Sequence, residues 1–131
     1  VLLLFLPLPF VFSVRFADVT GQLFCKSEPY NDSSEILLME RDLIDEDDLL
    51  ANVTVIDGVL GHYRISGNET NRFYDIANFF FGRFVPYLSI KHDCGGSGCI
   101  TQVFLPPECK SKGRLRKPCE VDVYLTCDKS G

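Results

Sequence analysis

Residues 87–99 read YLSIKHDCGGSGC, which sets His92, Asp93 and Cys94 side by side with Cys99 five residues on. These residue types can serve three chemistries. A thiolate with an imidazole and a carboxylate can make a nucleophile, histidine and cysteine bind zinc, and paired cysteines form disulfides. The nucleophile fails on geometry, because neighbours in a strand point to opposite faces and His92 and Asp93 cannot converge on one atom. It also needs a reduced thiolate, which an exported cysteine with five companions does not offer. Zinc would have Cys94, Cys99 and His92 at a loose C-x4-C spacing with no fourth ligand indicated. The stretch therefore reads as a stapled strand end. The glycines of CGGSGC permit a local Cys94–Cys99 bridge, and either cysteine can instead pair at long range. His92, on the face of Leu88 and Ile90, is expected to be a hydrogen-bonded histidine at the edge of the core.

Two charged segments invite further chemistry. ERDLIDEDD packs six acids and one arginine between Glu40 and Asp48. Asp42, Asp45, Asp47 and Asp48 are hard oxygen donors of the kind calcium takes. The run lacks the glycine and terminal glutamate of an EF-hand loop, so it is expected to be a hydrated turn, anchored to the core by Leu49 and Leu50. CKSKGRLRKPC sets five bases, Lys110, Lys112, Arg114, Arg116 and Lys117, between Cys109 and Cys119. A Cys109–Cys119 bridge would confine that charge to a closed loop, a candidate anion-binding site. No metal, cofactor or catalytic residue is expected.

Alternation sets the elements that hold these segments. In EVDVYLTC, Val121, Val123 and Leu125 alternate with Asp122, Tyr124 and Thr126; YLSIKHD and NVTVID alternate likewise. VTGQLFC, SEILLME, GHYRISG and ITQVFLP complete seven candidate strands separated by turn residues, the pattern of an antiparallel sandwich. NRFYDIANFFFGRF departs from it. Phe73, Ile76, Phe80, Phe81 and Phe84 fall at helical spacing, giving a short amphipathic helix that packs on the sandwich or offers an apolar contact site.

The compartment follows from the N-terminal residues. VLLLFLPLPFVFS carries no charge, is too short to span a bilayer, and matches the apolar core of a signal peptide. Residues 1–17 are expected to be that signal, cut after Ser13 or, by preference, after Ala17. Residues 18–131 then form one domain. All six cysteines, Cys25, Cys94, Cys99, Cys109, Cys119 and Cys127, lie in that domain as disulfide candidates. Asn31, Asn52 and Asn68 head N-x-S/T sequons and are candidate glycosylation sites. The formal charge of -5 argues against general nucleic-acid binding, and no later run is apolar enough to span a membrane.

In order, these segments resemble the nematode transthyretin-like family of secreted proteins. The residues that carry the resemblance are VTGQLFC (Val19–Cys25), LMERDLIDEDDLL (Leu38–Leu50), GHYRISG (Gly61–Gly67) and PYLSIKHDC (Pro86–Cys94) with Cys99 beyond. The resemblance implies an all-β, transthyretin-type sandwich of seven or eight strands, secreted and disulfide-bonded, with no catalytic residues. The related hydroxyisourate hydrolases use paired histidines, an arginine and a Tyr-Arg-Gly-Ser signature. YLTCDKSG lacks that signature, and only His62 and His92 are present. Compared with the family, the Phe73–Phe84 stretch is longer than usual, and Cys109 and Cys119 are additions.

The expected function is non-enzymatic extracellular binding or bridging through loops of the sandwich. Candidate partners are an extracellular protein or an anionic surface, either a phospholipid headgroup or a glycosaminoglycan. The alternatives are a carrier of a small apolar hormone or lipid, and a hydrolase. Exposed edge strands make a dimer a further expectation.

Overall fold

The computed structural model describes residues 14–41, 46–55, 60–70, 85–111, 118–127 and 129–130. Most of the signal segment, Asp42 and Asp45, the Phe73–Phe84 stretch and residues 112–117 of the basic loop lie outside them. Among the described residues six strands are long. They are β1 (Val14–Cys25), β3 (Ser34–Glu40), β4 (Asp48–Val55), β5 (His62–Thr70), β6 (Pro86–His92) and β7 (Cys99–Phe104). Five more have two residues each: β2 (Glu28–Pro29), β8 (Lys110–Ser111), β9 (Cys119–Glu120), β10 (Val123–Tyr124) and β11 (Lys129–Ser130). The protein is thus all-β, with a single 3-10 turn at Pro107–Cys109 among the described residues.

The strands form two sheets. One runs β4-β3-β6-β7-β11 and is antiparallel throughout. The other is built on β1, with β5 antiparallel along one flank from Val14–Thr70 to Gln22–His62. The opposite flank takes β8, β9 and β10 in turn, the last two parallel to β1. Alternation explains the core between the sheets. Val19 and Leu23 of β1, Tyr63 and Ile65 of β5, Ile36 and Leu38 of β3, and Leu88 and Ile90 of β6 all point inward and are buried. Each such side chain contributes about 1.5–3 kcal/mol through burial. Cleavage after Ser13 would leave β1 whole; cleavage after Ala17 would leave Asp18–Cys25, still paired with β5 from Asp18–Ser66 onward.

Two expectations need correction. EVDVYLTC keeps its alternation, with Val123 and Leu125 buried and Asp122, Tyr124 and Thr126 exposed, but it is not one antiparallel strand. It lies parallel to β1 and breaks at Val121–Asp122. Gly21 permits the break: a Cβ there would stand 1.9 Å from the Val121 carbonyl oxygen, which instead accepts the Tyr63 hydroxyl at 2.6 Å. The Asp122 carboxylate there accepts the Gln22 N–H at 3.0 Å, replacing a backbone ladder bond. The second correction concerns Leu49, which is 54% exposed instead of anchored, while Leu50 packs on the core. A bulge pairs Leu38 with Ala51 but Met39 with Leu49, which turns Leu49 to the outer face.

Candidate functional site

The His92–Cys94 segment leaves β6 where the two sheets are tied together. Cys94 bonds Cys25 at the end of β1, and Cys99 at the start of β7 bonds Cys127. The local Cys94–Cys99 bridge is therefore not the one formed. The turn between these two cysteines is closed by Asp93, whose carboxylate accepts the Gly98 N–H at 2.9 Å. Gly95 and Gly98 adopt φ of 87° and 66°, a region glycine reaches without strain. With the turn closed in this way, both cysteines are free to reach partners far along the chain.

His92 is 2% exposed, and both of its ring nitrogens are engaged. Nδ1 accepts the Cys94 N–H at 3.0 Å, so the proton sits on Nε2, which donates to the Thr101 hydroxyl at 2.8 Å. That hydroxyl donates to the Thr126 carbonyl at 2.8 Å and accepts the Thr126 N–H at 3.1 Å. The Tyr30 ring stands edge-on to the imidazole, and the Tyr30 hydroxyl accepts the Asp93 N–H at 2.8 Å. Burial lowers the His92 pKa below the usual histidine value, outweighing the Thr126 carbonyl and the Asp93 carboxylate, which raise it. The ring is thus a neutral structural bracket with no lone pair left for a metal or a substrate proton. Asp93 points outward, and His62 lies exposed on β5 in the other sheet, so neither converges with His92 on a common point.

Cys109 and Cys119 are bonded, closing the basic loop. Both ends of that loop hang on β1: Lys110 pairs with Ala17 and Cys119 with Val19. The loop must therefore leave and re-enter the sandwich within a few residues of the same strand. The sequence between the two cysteines holds five bases and no acid, and the flanking Glu108 and Glu120 lie outside the disulfide. Lys110 belongs to β8, while Lys112, Arg114, Arg116 and Lys117 lie outside the described residues, as do Phe73, Ile76, Phe80, Phe81 and Phe84.

The remaining candidates are separate from both regions. The Tyr87 hydroxyl donates a hydrogen bond to the Asp47 carboxylate, and burial followed by that bond pushes the Tyr87 pKa up to about 12. Among the described residues no group of three His, Cys, Asp or Glu side chains is placed to hold a metal ion. Asn31, Asn52 and Asn68 are all exposed. Sequence reasoning missed the Tyr30 and Thr101 partners of His92. Thr101 sits at an inward position of ITQVF, and a polar residue there signals a buried hydrogen bond. It also missed an open groove of about 240 Å³ beside His92, lined in part by Ser34, Glu35, Lys91 and Asp93.

Fold and site together define a disulfide-stapled, two-sheet β-sandwich whose conspicuous histidine is structural. A model of the transthyretin-like family matches residues 20–120, and the chain belongs to that family. A search of curated proteins gave no match. Among solved structures, a 9R-lipoxygenase from Cyanothece PCC8801 overlaps 84% of this chain and 16% of its own length. That overlap has 16% identity and a TM-score of 0.43, and it carries no argument about function.

Proposed function

We propose that the chain is a secreted, non-enzymatic member of the nematode branch of its family that binds anionic extracellular surfaces through the loop between Cys109 and Cys119. The observation that carries this reading is the Cys109–Cys119 disulfide, which closes a ring holding five bases and no acid. Crowding like charges into a closed loop costs free energy unless an anion meets them. Near an anionic lipid surface each base contributes about 1 kcal/mol, so five supply about 5 kcal/mol before screening. Three disulfides in a small sandwich, with the charge-free N-terminal segment, support secretion. The non-enzymatic reading is supported by His92, whose two nitrogens are both committed within the fold.

The test is sedimentation with phosphatidylcholine vesicles, with and without phosphatidylserine, and retention on immobilised heparin. The wild type is compared with a variant carrying alanine at Lys110, Lys112, Arg114, Arg116 and Lys117. Binding by the wild type to either anionic support, lost in the variant, is the expected result. Equal behaviour of the two proteins would refute the role of the loop. The two supports separate a lipid headgroup from a glycosaminoglycan.

A further inference from the structure

Among the described residues, the long strands of this sandwich end on one side in two open edges. Among the described residues, β4 pairs only with β3, and β5 only with β1. They have 8 and 9 residues, whereas the strands on the other flank of β1 and at the far end of the second sheet have two residues each. The two open strands lie against each other where the sheets meet. A Cβ at Gly67 of β5 would stand 3.1 Å from the Cβ of Leu50 in β4. Unpaired edges of this length invite a second chain to add a strand. Neither strand holds a lysine or a proline, and the bulge in β4 is confined to its Leu49–Ala51 end. Arg64 of β5 turns back to Asp18 of β1 at 3.1 Å.

Two of the three sequons fall on these two strands. Asn52 is exposed on the outer face of β4, opposite Leu37, and Asn68 on the outer face of β5, opposite Phe16. We infer that N-linked glycans at Asn52 and Asn68 cap the paired open edges and keep the folded chain monomeric. The attachment takes a lipid-pyrophosphate-linked oligosaccharide as donor. The asparagine Nδ2 forms a bond to the sugar C1, the C1–oxygen bond to the pyrophosphate breaks, Nδ2 gives up one proton, and the lipid pyrophosphate leaves. An incoming strand would lie about 4.8 Å from β4 or β5. Its side chain opposite Asn52 or Asn68 would have its Cβ about 5 Å away, in the space the first sugar ring fills. One glycan stands on each outer face, so the pair straddles the joint between the sheets. The inference rests on export through the secretory pathway and is independent of the anion reading.

The experiment uses the whole protein secreted from cultured eukaryotic cells, with glycan occupancy read by mass spectrometry and molar mass by light scattering. The wild type is expected to carry sugar at Asn52 and Asn68 and to be a monomer. Asn52→Gln with Asn68→Gln, and separately Thr54→Val with Thr70→Val, remove the same two sequons by different changes. Both doubly substituted proteins are expected at least to double in mass, while Asn31→Gln stays monomeric. Endoglycosidase trimming of the folded wild type supplies a third route that needs no substitution, and the same association is expected from it. An unmodified Asn52 or Asn68 in the wild type would overturn the inference. So would monomeric behaviour after all three routes, or equal association of Asn31→Gln. None of these readouts involves anion binding, so they leave the proposed function to its own test.

Discussion

Acidification provides a sharp test of the role of His92. In the folded protein its imidazole is buried and neutral, Nδ1 accepts the Cys94 N–H, and burial lowers its pKa. In the unfolded chain the same side chain titrates at about 6.5. Below that pH the unfolded state binds a proton that the folded state refuses, so stability falls as pH drops through the window between the unfolded and the lower folded value. The limiting slope for one proton is about 1.4 kcal/mol per pH unit, which makes the loss at about pH 5.5 at most about 1.4 kcal/mol. Other groups also titrate, so the comparison is with His92→Gln, whose amide can accept and donate without protonating. Urea unfolding of both proteins between about pH 7.5 and about pH 5.5 reads the difference in slope. The wild type should lose stability on acidification more steeply than His92→Gln, by up to that amount. Parallel curves for the two proteins would refute the assignment of His92 as a buried neutral bracket.

Further outcomes follow from the disulfides and from Tyr63. The Cys25–Cys94 bridge spans 69 residues and Cys109–Cys119 spans 10, so chain entropy assigns them about 4 and about 3 kcal/mol. Alanine at Cys25 and Cys94 should therefore lower the urea midpoint more than alanine at Cys109 and Cys119. The second pair should weaken anion binding with the loop charge unchanged. Tyr63→Phe removes the hydrogen bond its hydroxyl donates to the Val121 carbonyl at 2.6 Å and should cost about 1 kcal/mol. Amide hydrogen exchange at residues 121–125 should quicken in that variant.

Much of the fold is legible in alternation. The inward positions of YLSIKHD and SEILLME follow from period two, because one face of each strand must be buried. Placing His92 with Leu88 and Ile90 rests on the same rule, and it separates His92 from Asp93. Elsewhere the deciding interactions are remote in sequence. The break in EVDVYLTC needs the room left by Gly21, which packs against Val121 from far away in the sequence. Leu49 faces outward because of a bulge between β3 and β4, which the pattern of neither strand announces. The glycines of CGGSGC allow a local bridge, yet Asp93 closes the turn and both cysteines find distant partners. Spacing limits which pairs are possible; packing chooses among them.

The central claim is that the closed basic loop recognises an anionic surface, and vesicle binding of the mature, oxidised protein across a range of salt concentrations tests it most directly. The account predicts binding to phosphatidylserine-containing vesicles or to immobilised heparin that weakens steeply as salt rises, with no binding to phosphatidylcholine alone. The variant with alanine at Lys110, Lys112, Arg114, Arg116 and Lys117 should lose it. Salt-independent binding, or a variant that binds as well as the wild type, would contradict the claim.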